Sequence, residues 1–277
     1  MQLFALSNTQ PILASSAKKQ ADYLCPECQG TVRLRSGPHR QSHFYHPTTN
    51  PVCRQSQKSL EHLHSQLKIL QLIPDGGGAM ERPFPSINRI ADCVWETKKI
   101  VFEIQCSPID QEEAKQRCLD YESAGFKVVW VLHEKNFNKK RLSAAEHFLR
   151  RRPCYFADIS SKGQGMFYDQ FEVLLKAKRV FKGPKLPIDF DKPYLFKKEV
   201  SSQVLKSRLQ PDRLFFQGDL TYRWSKEKDQ AQLEKNLLKL ENTFLPKKLK
   251  IAFPLISKTL RRSYSLLLTH ILRKTCS

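Results

Sequence analysis

The chain of 277 residues contains no run of 18 consecutive apolar residues, which excludes a membrane-spanning helix. Its opening, Met1-Gln2-Leu3-Phe4-Ala5-Leu6, lacks the charged region and long apolar core of a secretory signal, so a cytoplasmic location is expected. No internal repeat is visible. Beyond Glu241 there is no acidic residue at all, whereas Lys247, Lys248, Lys250, Lys258, Arg261, Arg262, Arg273 and Lys274 follow. The net charge of +20 is therefore uneven: residues 1–160 carry 22 Lys and Arg against 16 acids, and residues 161–277 carry 25 against 11. Such a balance points to a polyanionic partner, nucleic acid ahead of an anionic membrane surface. Forty per cent hydrophobic and 27% charged residues fit a globular protein of one large domain or two to three small ones.

A disulfide framework is also missing. Cys93, Cys106, Cys118 and Cys154 sit singly in apolar or helical contexts, where a free cysteine is an ordinary small core residue. Cys25 and Cys28 differ. The run Leu24-Cys25-Pro26-Glu27-Cys28-Gln29-Gly30 has the spacing of a metal knuckle, with His39, His43, His46 and Cys53 downstream. Structural zinc takes four tetrahedral Cys or His ligands in short-spaced pairs, which Cys25, Cys28, His46 and Cys53 satisfy, with His43 as the alternative nitrogen. Thr31–Arg35 alternates as a strand and 41–46 is its expected hairpin partner. A ribbon of about 50 residues without a sizeable core needs such a staple. A redox-active Cys25–Cys28 pair is the competing reading, and it would not require the later His and Cys.

The most informative stretch is Arg89–Gln105. Arg89-Ile90-Ala91-Asp92-Cys93-Val94-Trp95 and Ile100-Val101-Phe102-Glu103-Ile104-Gln105 are rich in β-branched and aromatic residues, and Glu96-Thr97-Lys98-Lys99 between them is polar. That is a β-hairpin. Asp92 and Glu103 are anomalies on it, because a carboxylate buried without a partner costs several kcal/mol. Converging on one hard cation such as Mg2+ would compensate both. Gln105 shares the face of Glu103. The plainer alternative is that both acids are solvated or paired with Arg89 or Lys99.

Around the hairpin, Leu60, Leu63, Leu67 and Leu70 predict an amphipathic helix ending at Pro74-Asp75-Gly76, with Glu61, His64 and Lys68 on a second face. Met80–Phe84 reads as an edge strand limited by Pro83 and Pro85. Gln111–Ser123 is predicted helical, followed by Gly125 and the apolar strand Phe126–Leu132, a strand–helix–strand order that implies an α/β domain. Further along, the expectations are a basic helix over 139–152, a short strand over Cys154–Ile159, helix over Phe167–Val180 and a proline-bearing linker over Gly183–Pro193. Helices are also expected over Gln230–Phe244 and Leu255–Arg273.

The knuckle, His43-Phe44-Tyr45-His46, Glu61-His62-Leu63, Ile90–Trp95, Val101–Ser107, Arg117-x-x-x-Tyr121 and Val128–Leu132 together resemble the competence protein CoiA family. The likeness covers residues 20 to about 135. It implies a zinc-ribbon-like segment (1–57) and a nuclease domain of the restriction-endonuclease-like PD-(D/E)XK class (58–160); charge and helical spacing, not the resemblance, give a basic, mainly helical region after it (161–277). By the same resemblance, Glu61 is the helix acid, and Asp92 and Glu103 bind Mg2+ or Mn2+. Gln105 stands where most members of the superfamily have Lys, and Arg117 and Tyr121 fall on a helix motif of related nucleases. Ala91 replaces the Pro of the signature. The implied activity is phosphodiester hydrolysis on DNA, single-stranded, double-stranded or branched, in transformation or recombination, alongside other competence or recombination proteins. A DNA-binding protein that keeps the fold but not the activity is the alternative.

Overall fold

The computed structural model describes residues 1–48, 50, 51, 53, 58–175, 177–195 and 214–226, together with 231, 232, 235, 236, 239 and 243. It forms two units: residues 1–70 with 159–165, and residues 71–158 with the described residues from Met166 onward.

In the first unit, β1 (Phe4–Ser7), β2 (Gln10–Leu13), β3 (Asp22–Leu24), β4 (Thr31–Gly37) and β5 (Arg40–Tyr45) make an antiparallel sheet in the order β2-β1-β3-β4-β5. The expected β4–β5 hairpin is present. Gln2 pairs back to Phe44 through two main-chain hydrogen bonds of 3.1 and 2.8 Å, linking the first strand to the last. Ala5, Tyr23, Val32 and Phe44 turn inward and pack with Cys25 and Cys53, while Arg33 and Arg35 alternate outward. Helix α1 (Leu60–Leu72) forms as expected, but of the predicted stripe only Leu63 is buried; Leu60, Leu67 and Leu70 are half-buried, and Ile69 is the other buried apolar residue. Lys68 Nζ donates to the carbonyl of Gly165 in the returning 159–165 loop.

The second unit opens with β6 (Gly78–Phe84), β7 (Arg89–Trp95) and β8 (Ile100–Gln105), followed by α2 (Gln111–Ser123) and β9 (Lys127–His133). Next come α3 (Ala144–Leu149), β10 (Cys154–Ala157), β11 (Phe167–Asp169), β12 (Glu172–Leu175), β13 (Lys178–Lys182), β14 (Leu186–Pro187), β15 (Asp189–Leu195), β16 (Leu214–Gln217) and α4 (Leu220–Lys226). Seven strands form one mixed sheet in the order β14-β11-β10-β9-β8-β7-β6, with β8, β9 and β10 parallel. On one face Val94, Val101, Trp130 and Phe156 pack against Ala114, Cys118 and Tyr121 of α2. On the other, Phe102, Tyr155 and Phe167 meet Phe190 of β15 at ring-centroid distances of 5.1–5.5 Å, and Phe216 of β16 closes on Phe190 at 5.0 Å. Each such pair adds about 0.5–1.5 kcal/mol beyond its buried area. The hairpin turn and α2 follow the sequence reading. Lys99 takes the left-handed conformation after the Glu96–Lys98 turn, and the Asp110 carboxylate caps α2 at the Glu112 N–H, 2.9 Å away.

Beyond β9 several expectations are corrected. The helix expected over 139–152 shrinks to Ala144–Leu149. Leu142 N–H is drawn to the Ala177 carbonyl (2.9 Å) and Ser143 caps the shorter helix. The helix expected over Phe167–Val180 is replaced by β11, β12 and the start of β13, since short apolar runs suit strand or helix alike until tertiary partners decide. The linker expected over Gly183–Pro193 is instead β14 and β15. Pro187 lies on the sheet edge and Pro193 at a register shift, the two places where a missing N–H is tolerated. Among the described residues, those of 161–277 are thus mainly β, with α4 as the one complete helix; of the helix expected over Gln230–Phe244 only positions 231, 232, 235, 236, 239 and 243 are described, all of them helical, and the helix expected over Leu255–Arg273 lies outside the described residues. The sheet itself runs past Ser160, because β11 and β14 extend it and β15–β16 cover it. Gly218 (φ +90°) makes that covering possible: a Cβ there would sit 1.9 Å from the Pro187 carbonyl oxygen.

Charges are buried as well. Arg150 and Glu172 pair at 3.2 Å with no solvent exposure, Arg179 bridges Glu172 to Glu146, and Arg150 and Arg179 lie 4.5 and 5.6 Å from the Phe156 ring. Glu172→Ala leaves two buried guanidinium groups short of a partner and is expected to cost about 3–5 kcal/mol. A lower urea midpoint with unchanged metal content checks this.

Candidate functional site

The knuckle is set by its backbone. Cys25 N–H donates to the Gly30 carbonyl and Gln29 N–H to the Cys25 carbonyl, both at 2.9 Å, with Gln29 left-handed at φ 56°. Gly30 packs closely here: a Cβ would lie 3.3 Å from Cys28 Sγ, so the sulfur would have to give by a few tenths of an ångström. The donor atoms of Cys25, Cys28, His46 and Cys53 all lie within 4.8 Å of one another. Cys25 Sγ is 3.6 Å from Cys53 Sγ, and Cys28 Sγ is 3.3 Å from His46 Nε2. A disulfide needs about 2.05 Å between sulfurs. Two thiolates each about 2.3 Å from a tetrahedral zinc stand roughly 3.8 Å apart. The spacing and the three-sulfur, one-nitrogen donor set therefore fit a metal, zinc in particular. His43 is buried outside this group, and its Nδ1 donates to the Gln41 carbonyl at 2.8 Å. Burial pushes the Cys25 and Cys53 thiols up. Cys28, where burial is outweighed by hydrogen bonds led by the Gly30 N–H, is held below its ordinary value.

In the second unit β7 and β8 run antiparallel with Cys93 opposite Phe102, so the next pair outward is Asp92 and Glu103. Both are buried, 6% and 2% exposed. Asp92 Oδ2 accepts the Ile104 N–H at 2.9 Å. Glu103 Oε2 accepts from Arg117 at 2.9 Å and Oε1 from the Tyr121 hydroxyl at 2.8 Å. Burial, with the neighbouring Asp92 charge, raises the Glu103 carboxyl above its usual range, while Arg117 and Tyr121 pull it down. Arg117 and Tyr121 are one turn apart on α2, which is why the spacing Arg-x-x-x-Tyr delivers both to one carboxylate.

Two further residues complete this arrangement. Glu113 accepts from Arg117 Nε and from Arg89, each at 2.8 Å, and Arg89 also reaches Asp120 at 2.8 Å. Sequence reasoning passed over Glu113 because acids in a helix's first turn are ordinarily solvated; its four-residue spacing from Arg117 was the available signal. Gln105 is half-exposed, and its amide donates to Ser107 O (2.7 Å) and Oγ (3.2 Å). Glu61 lies in the first turn of α1, in the other unit, and its carbonyl accepts the Ser65 hydroxyl. Buried carboxylates driven together suit a hard divalent cation, and each oxygen already hydrogen-bonded keeps a second lone pair for one.

The class so defined is a mixed α/β nuclease-like domain joined to a small β unit with a Cys3His cluster. Residues 58–168 match the nuclease-like domain of competence protein CoiA, and residues 6–56 match the N-terminal domain of competence protein CoiA. The chain belongs to the competence protein CoiA family. No curated protein and no solved structure matches it. Among the described residues no helix is long and apolar enough to cross a membrane.

Proposed function

We propose that the protein is a cytoplasmic, metal-dependent DNA nuclease with a PD-(D/E)XK core that hydrolyses phosphodiester bonds in DNA during transformation or recombination. The observation that carries this is the buried Asp92–Glu103 pair on β7 and β8, with Arg117 and Tyr121 of α2 fixed on Glu103. Asp92 and Glu103 are the residues that would hold Mg2+ or Mn2+, with the Ile104 carbonyl beside them. When bound, such an ion lowers the pKa of the attacking water and offsets charge on the phosphate. Tyr121 fixes the Glu103 carboxylate. Arg117, braced by Glu113, supplies the positive charge that Gln105 cannot, and Gln105 orients water by hydrogen bonding. By the family resemblance Glu61 is the acid that such nucleases carry on a helix. The N-terminal zinc cluster staples its own unit, and basic residues after 160 contact phosphates without reading sequence.

The test is a Mg2+ and Mn2+ titration with linear, single-stranded and branched DNA. Metal-dependent cleavage of at least one form is expected. A second reading, a DNA-binding protein without hydrolysis, is favoured by the uncharged Gln105, whose amide is engaged with Ser107; absence of cleavage on all three forms would establish it. Arg117→Ala is expected to slow cleavage about 10²–10³-fold, as for loss of one transition-state donor, with Arg117→Lys recovering part of the rate. Wild-type cleavage by the alanine variant would remove Arg117 from the mechanism.

A further inference from the structure

Past the last family-matched residue, β15, β16 and α4 carry an assembly of side chains separate from both sites above. The Tyr194 ring stacks on Phe215, 5.8 Å between centroids and 16° between planes, and Tyr222 of α4 lies 4.9 Å from Tyr194. Phe215 is buried, but Tyr194 and Tyr222 are half-exposed. Lys192 and Lys226 are exposed, and each ammonium stands 5.7 Å from a ring centroid, Lys192 over Tyr194 and Lys226 over Tyr222. Arg223 is exposed on the same short helix, and Leu195, 45% exposed, ends the strand. Two acids share the strand: Asp189 is half-exposed and Asp191 exposed.

Packing alone accounts for Phe215. It does not account for two outward tyrosines with a lysine over each, in the part of the chain, residues 161–277, where Lys and Arg outnumber acids 25 to 11. We propose that Tyr194 and Tyr222 form a stacking platform for single-stranded nucleic acid, with Lys192, Arg223 and Lys226 contacting its phosphates. Rings and cations in alternation are what an unpaired strand requires: any base offers a π-face to a tyrosine, and the backbone needs cations at short intervals. A duplex keeps its base faces stacked internally, so the rings gain nothing from it. An anionic membrane would meet Asp189 and Asp191 rather than an aliphatic stripe. The Tyr194–Phe215 stack is already assembled, which lowers the ordering cost of binding. This goes beyond hydrolysis and does not depend on it.

The experiment uses the full chain without added divalent metal and a fluorescein-labelled oligo(dT) of about 16 nucleotides, read by anisotropy. Tyr194→Ala and Tyr222→Ala are each expected to raise Kd about tenfold, the loss of one base–aromatic stack, whereas Tyr194→Phe and Tyr222→Phe bind as wild type. Lys192→Glu with Lys226→Glu, both at exposed positions, is expected to weaken binding and flatten its salt dependence without changing thermal melting. Unchanged Kd in the alanine or the charge-reversal variants overturns the platform, as does an equal loss in the phenylalanine variants. An equal loss on a duplex of the same length overturns the single-strand assignment. If the variants lose binding to phosphatidylserine vesicles but not to oligo(dT), the surface is a lipid contact and the proposal fails.

Discussion

Asp92→Asn is expected to reduce metal-dependent DNA cleavage about a thousandfold, roughly 4 kcal/mol of transition-state stabilisation, while the folded state and DNA binding survive. The choice of amide matters. Asp92 has a structural duty, because its Oδ2 accepts the Ile104 N–H at 2.9 Å, and an asparagine oxygen can keep that bond. What the amide removes is the negative charge beside Glu103. Loss of cleavage with an unchanged melting temperature and unchanged affinity for DNA therefore separates metal binding from folding. Added Mn2+ should raise the melting temperature of wild type and leave the variant unmoved, a readout that does not involve cleavage. Equal cleavage by both proteins would dismiss Asp92 as a metal ligand.

Cys25→Ala is expected to produce the largest loss of structure. A structural zinc contributes on the order of 10–16 kcal/mol of binding free energy near neutral pH, far more than a five-stranded unit of this size can draw from its own core. Cys25 is fully buried among Tyr23, Val32 and Phe44, so its removal unties the metal and leaves a hole in the core of the same unit. Elemental analysis should find one zinc per wild-type chain and almost none in the variant, with the first 70 residues becoming sensitive to protease. Acidification should mimic the substitution, since protons compete with zinc for the thiolates. Retention of zinc and protease resistance in Cys25→Ala would refute the assignment.

The parts of the molecule that announced themselves did so through local chemistry. Val101–Gln105 and Phe126–Leu132 were legible as strands because burial on both faces leaves a nearly unbroken apolar run. The spacing Arg117-x-x-x-Tyr121 was legible through the family likeness, and the structure brings both side chains to Glu103. Cys25, Cys28, His46 and Cys53 were picked out by spacing, and their donor atoms do converge. Residues 167–195 were not legible. Strands of two to seven residues carrying Pro187 and Pro193 have no periodicity to read, and they are held by distant partners: Glu172 by Arg150 and Arg179, Phe190 by Phe102 and Tyr155. Glu113 and Arg89 stayed hidden for a related reason. A charged residue on a helix or at a strand start looks the same in sequence whether it faces water or braces a buried neighbour.

The seven-stranded order has a consequence for biosynthesis. Apart from the omission of β12 and β13, neighbours in space are neighbours along the chain, from β6 to β14. A nascent polypeptide emerging from the ribosome can thus add each new segment to the one just laid down, with little chain entropy spent on distant encounters. Until β14 arrives, that growing front is an open template for another molecule. Pro187, which has no N–H to offer a further strand, closes the outer end of the sheet against self-association.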